Sequence, residues 1–91
     1  MIFHNCDRSN EEFGRYIVVD DIVYALFVLK ISSSASAWTK SVGVPKPKYD
    51  SIWATDTNGQ YGFQVNSQGV FQNASDIPAG TYTVNVMYIK A

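Results

Sequence analysis

The chain has 91 residues, enough for one domain and too few for two separate cores. Hydrophobic residues make up 46% of it and charged residues 16%, against roughly 25% charge in an average soluble domain, so its surface is easily buried against other chains. The formal net charge is −1 and the basic residues Lys40, Lys46 and Lys48 are interrupted by prolines, which excludes phosphate-driven nucleic-acid binding from expectation.

Residues 1–14 are polar and aperiodic and read as a lead-in, with Ser9 and Glu12 at capping-box spacing for a short helical turn. They carry no sustained apolar run of the signal-peptide kind. Arg15 to Asp20 is rich in β-branched and aromatic residues, which suit a pleated surface. Ile22 to Ile31 is apolar on both parities: Tyr24, Leu26 and Val28 share one face, and Val23, Phe27, Leu29 and Ile31 the other. A buried helix is the rival reading, but the β-branched content and the Asp20-Asp21 punctuation favour a strand covered on both sides. Tyr24, Leu26 and Val28 are therefore candidates for an oligomer interface. At ten residues the segment is far short of the roughly 20 needed to span a bilayer as a helix, so a soluble protein without membrane insertion is expected.

Ser32 to Ala37 is a small-residue loop, and Gly43-Val-Pro45-Lys-Pro47 must be extended, irregular or at an edge because proline cannot donate to a ladder. Tyr49 to Thr57 reads as a strand with Tyr49 and Trp53 on one face. Asn58-Gly59 signals a tight hairpin. Tyr61, Phe63 and Val65 then alternate with Gln60, Gln64 and Asn66. Ser67-Gln-Gly69 is a second turn, Val70 to Gln72 a short strand, and Thr81 to Lys90 a closing strand with Tyr82, Val84, Val86 and Tyr88 on one face. Short strands separated by turn chemistry at this spacing predict an all-β, antiparallel sandwich over residues 15–91.

The order of these features resembles the C-terminal β-sandwich head domains of tailed-bacteriophage tail-fibre and baseplate receptor-binding proteins. The likeness rests on Gly43-x-Pro45-x-Pro47, the Asn58-Gly59 and Ser67-Gln68-Gly69 turns, and the Ile77-Pro-Ala-Gly-Thr-Tyr82 entry to the last strand, and it covers roughly residues 20–91. It implies a jelly-roll-like sandwich, a homotrimer, a place in the virion tail or baseplate, and recognition of host-surface saccharide. It transfers no binding residue, because that family fixes none in sequence.

Catalytic side chains are sparse. His4 and Cys6 could pair as base and nucleophile only with a third orienting group and a rigid frame. Asp20 and Asp21 are adjacent, and Asp50 and Asp56 are separated by roughly 20 Å if they end one strand at about 3.3 Å per residue. Neither pair brackets a glycosidic bond. Asp56-Thr-Asn58-Gly59 opens like a calcium loop but lacks the remaining ligands, so no metal or other cofactor is expected, and no enzyme. Asn73-Ala-Ser75 fits a glycosylation sequon and is discounted as a chance match. What remains is saccharide chemistry, in which sugar rings stack on aromatic faces while amides meet the hydroxyls. The candidate residues are Trp38, Tyr49, Trp53, Asn58, Gln60 and Gln64. The competing expectation is a structural subunit acting only through protein contacts.

Overall fold

Apolar residues recur at period two through most of the chain, and the segments they mark fold as strands. The computed structural model describes residues 3–5 and 12–91, with side-chain burial from residue 14 onward. Eight strands form: β1 (Phe3–Asn5), β2 (Glu12–Val19), β3 (Ile22–Ile31), β4 (Ser41–Gly43), β5 (Ile52–Thr55), β6 (Gly62–Val65), β7 (Val70–Asn73) and β8 (Gly80–Ile89). They make two antiparallel four-stranded sheets, ordered β1-β2-β3-β8 and β4-β7-β6-β5. The protein is an all-β sandwich. Among the described residues no helix is long and apolar enough to cross a membrane.

The core lies between the sheets and uses one parity of each long strand. Val23, Phe27, Leu29 and Ile31 of β3 and Tyr82, Val84, Val86 and Tyr88 of β8 face Phe63 and Val65 of β6 and Phe71 of β7. Phe27 stacks on Phe71 across the sandwich with centroids 3.7 Å apart and planes 4° apart. Phe63 lies parallel to Phe71 at 5.6 Å. Burial of each such ring stabilises the fold by about 1.5–3 kcal/mol, so this stack fixes how the sheets sit. Among the described residues the opposite parity of β3 has no cover of this kind, with Tyr24 exposed and Leu26 and Val28 half-buried.

Several expectations need correction. The lead-in is partly sheet, since β1 pairs with β2 through Phe3↔Ile17 and β2 starts at Glu12. β3 is long enough to offer Glu12 a partner at Leu29 and Gly14 one at Phe27. The helical turn predicted from Ser9 and Glu12 is not formed at its Glu12 end, which opens β2, while Ser9 and Cys6 lie outside the described residues. The strand predicted over Tyr49 to Thr57 shrinks to Ile52–Thr55, because Pro47 is held in a bridge to Lys90 and the chain bends through residues 48–50. Asp20 and Asp21, the punctuation expected before β3, do form the β2–β3 turn, with Asp20 at φ 55.

The two hairpins of the second sheet share one construction. Gly59 N–H donates to the Asp56 carbonyl at 2.8 Å, and Gly69 N–H to the Asn66 carbonyl at 3.0 Å. Each glycine has positive φ, +69 and +82. Asp56 Oδ1 accepts from the Gln60 and Tyr61 amides and Asn66 Oδ1 from the Gln68 and Val70 amides. The expected two-residue Asn58-Gly59 turn is thus a longer Asx-x-x-Gly loop, in which only the glycine needs left-handed backbone. A free-standing Asn-Gly turn would need positive φ at both residues, and Asn58 does not have it.

Candidate functional site

The second sheet turns Ser41, Trp53, Gln64 and Gln72 away from the core. Register aligns them in one row across four strands, Trp53↔Gln64↔Gln72↔Ser41, about 14 Å long at about 4.8 Å per strand. Gln72 Nε2 donates to Gln64 Oε1 at 3.3 Å, which leaves the Gln64 amide hydrogens and the Gln72 amide oxygen open toward solvent. In the next row Thr55 is followed by Gly62, whose carbonyl accepts from the Ala74 amide at 2.9 Å.

Trp38 reaches this face from the loop before β4. Its indole meets that of Trp53 edge to face, with centroids 6.5 Å apart and planes at 71°. Both residues are exposed, Trp38 at 48% and Trp53 at 64%. Trp38 has φ 67, a left-handed conformation that is a genuine outlier for so bulky a residue. A dense set of hydrogen bonds holds it there. Trp38 N–H donates to the Asn73 carbonyl at 2.8 Å, Thr39 Oγ1 to the Ser36 carbonyl at 2.6 Å, and Ala37 N–H to Asp76 Oδ1 at 2.9 Å.

Asn73 is the hub of that loop. It is fully buried; its amide donates to the carbonyls of Ser36 at 2.8 Å and Ser75 at 3.0 Å, and its Oδ1 accepts from Lys40 N–H at 2.9 Å. A residue so engaged has no amide hydrogen to give to glycan attachment. The sequon is a loop anchor.

Of the residues expected to bind, the structure brings Trp38, Trp53 and Gln64 to one face. Tyr49 is exposed outside β5, with Lys48 Nζ 5.6 Å from its ring centroid. Asn58 and Gln60 lie in the exposed loop beyond the Thr55↔Gly62 pair. Gln72 escaped notice although its parity in Val-Phe-Gln-Asn marks it as outward. Asn73 draws attention in sequence only through the discounted sequon, and nothing local in sequence links it to residues 36–40.

The carboxylates of Asp50, Asp56 and Asp76 are occupied locally. Asp56 is buried and caps its hairpin, Asp50 Oδ1 accepts from Ser51 N–H at 2.7 Å, and Asp76 holds Ala37. Among the described residues no three His, Cys, Asp or Glu side chains gather as a metal site would require.

The outer face of the first sheet differs in kind. Tyr24 of β3 lies between Ile17 of β2 and Met87 of β8, and Ile22 between Val19 and Ile89. Tyr24, Met87, Ile89 and Val19 are all exposed, while Leu26 and Val28 are half-buried.

No protein-family model, curated protein or solved structure matches the chain. The chemistry open to the Trp38–Trp53 face follows from its geometry: two exposed apolar rings beside neutral amides.

Proposed function

We propose that this chain is a non-catalytic saccharide-binding module, a jelly-roll-like head of the phage-adhesion type that its sequence resembles, acting at a virion tail or baseplate. The observation that carries this reading is the exposed Trp38–Trp53 pair, with Trp38 on a strained and tethered turn and Trp53 on β5 beside Gln64 and Gln72. A bulky residue kept in left-handed backbone costs on the order of 1–3 kcal/mol, and such strain concentrates where function needs it. Large exposed indoles also give up hydrophobic stabilisation that burial would supply. Sugar stacking uses both features. The test is a glycan array or host-cell binding assay with the Trp53→Ala variant. The reading expects retained fold and lost binding; binding that survives this substitution contradicts the site.

A second reading, assembly through protein contacts alone, is favoured by the outer face of the first sheet. Three strands at about 4.8 Å and ten residues at about 3.3 Å give it a footprint of roughly 500 Å², and side-chain relief brings its accessible area toward the ~800 Å² per partner of a stable interface. We assign this face to further copies of the same chain, and the resemblance makes the assembly a homotrimer. The two readings are compatible, because the faces lie on opposite sides of the sandwich. Light scattering decides: the assembly expects more than one copy in the native chain and a monomer for Leu26→Glu, whereas a monomeric native chain refutes it.

A further inference from the structure

The saccharide reading leaves open which glycans the site takes, and the two indoles constrain that choice. Rings that support a long, flat polymer must lie side by side with their faces in one plane. Trp38 and Trp53 stand at 71° with centroids 6.5 Å apart, so they form a corner. A sugar ring in it stacks its apolar face on one indole and sets its edge against the other. The neighbouring sugar units of a chain would project out of that corner and gain no further stacking. Tyr49 stands outside β5, and the Lys48 ammonium lies over its ring, 5.6 Å from the centroid.

Charge narrows the class further. No position of β4 to β7 that points away from the core is ionisable: the face offers Ser41, Gly43, Trp53, Thr55, Gly62, Gln64, Val70 and Gln72. The fixed charge hydrogen-bonded to the Trp38 turn is negative, the Asp76 carboxylate on Ala37 N–H. Lys40, two residues beyond Trp38, brings the nearest cation along the chain, from the loop and not from a strand position of the face. A carboxylated, sialylated or sulfated sugar would lose part of its hydration against these strand positions, none of which carries a cation, an unfavourable exchange. The hydroxyls of a neutral sugar, by contrast, match amides that both donate and accept.

We propose that the ligand of this site is an uncharged glycan gripped through a single sugar unit, at a chain end or branch tip. This rests on the saccharide reading and sharpens it. The test is titration of the full chain, followed by tryptophan fluorescence, with neutral monosaccharide glycosides, neutral oligosaccharides of increasing length, and their sialylated, uronic and sulfated counterparts. Neutral ligands should bind with affinity constant to within about twofold from the disaccharide upward, and insensitive to salt because no charge pair is screened. The Trp53→Ala and Trp38→Gly variants should each lose at least about tenfold, roughly 1.4 kcal/mol. Affinity that climbs tenfold or more with chain length, or selective salt-dependent binding of the acidic sugars, overturns the single-unit or the neutral-ligand claim while leaving saccharide binding intact. Absence of binding by every glycan, or binding that survives both substitutions, overturns the saccharide reading itself.

Discussion

Trp38 is where sequence, strain and proposed function meet most tightly. Its φ of 67 is natural for glycine and unfavourable for any residue with a Cβ. Substitution by glycine or by alanine removes the same indole, but only alanine keeps the backbone penalty. Trp38→Gly should therefore be more stable than Trp38→Ala by about 1 kcal/mol in denaturant unfolding; equal stabilities would mean the turn relaxes once the ring is gone. Tyr82 gives a pH-dependent counterpart. Burial pushes its phenol above the ordinary value of 10.0, and charge on Tyr61 and Asp56 pushes the same way. Its hydroxyl also donates to the Pro78 carbonyl. The folded state thus favours the neutral phenol, so Tyr82 contributes fully below about pH 10 and its contribution is lost as pH rises above that. Urea midpoints measured across the alkaline range should fall more steeply for the native chain than for Tyr82→Phe. Matching slopes in the two proteins would remove Tyr82 from the account.

At the level of elements, the two Asx-x-x-Gly hairpins permit a controlled comparison. A Cβ on Gly59 meets open space, whereas one on Gly69 falls 2.5 Å from the Val44 carbonyl oxygen and 3.2 Å from Lys46 N. Gly59→Ala should cost about 1 kcal/mol through φ alone, and Gly69→Ala about 2–3 kcal/mol because backbone must also move. Thermal unfolding of the pair checks the difference, and equal losses would show that the 44–46 segment yields freely. The same elements show what was legible in sequence. β3 and β8 announced themselves by composition and parity, and their predicted inward faces are the core. β4 did not, since three residues held to β7 by register alone leave no periodic signature. Tyr49 was misplaced because the Pro47–Lys90 bridge that bends the chain is a contact between distant residues. Trp38 and Trp53 were each visible as exposed aromatics, but their pairing depends on Asn73 drawing residues 36–40 onto the sheet from more than thirty positions away.

The whole molecule is a sandwich with two unlike outer surfaces. One is apolar around Tyr24 and Met87, and the other is neutral and polar around Trp53 and Gln64. Copies associating through the first leave the second free, so oligomerisation would multiply weak sugar contacts without altering the site. Two tryptophans in 91 residues also make the proposed site directly observable. The indole N–H resonances of Trp38 and Trp53 can be followed while a neutral glycan that binds the chain is titrated in. Saccharide recognition by the indole corner predicts that both signals move together and saturate, with the Met87 methyl signal unmoved on the opposite face. A bound glycan that leaves both indole signals in place, or shifts Met87 instead, would contradict it.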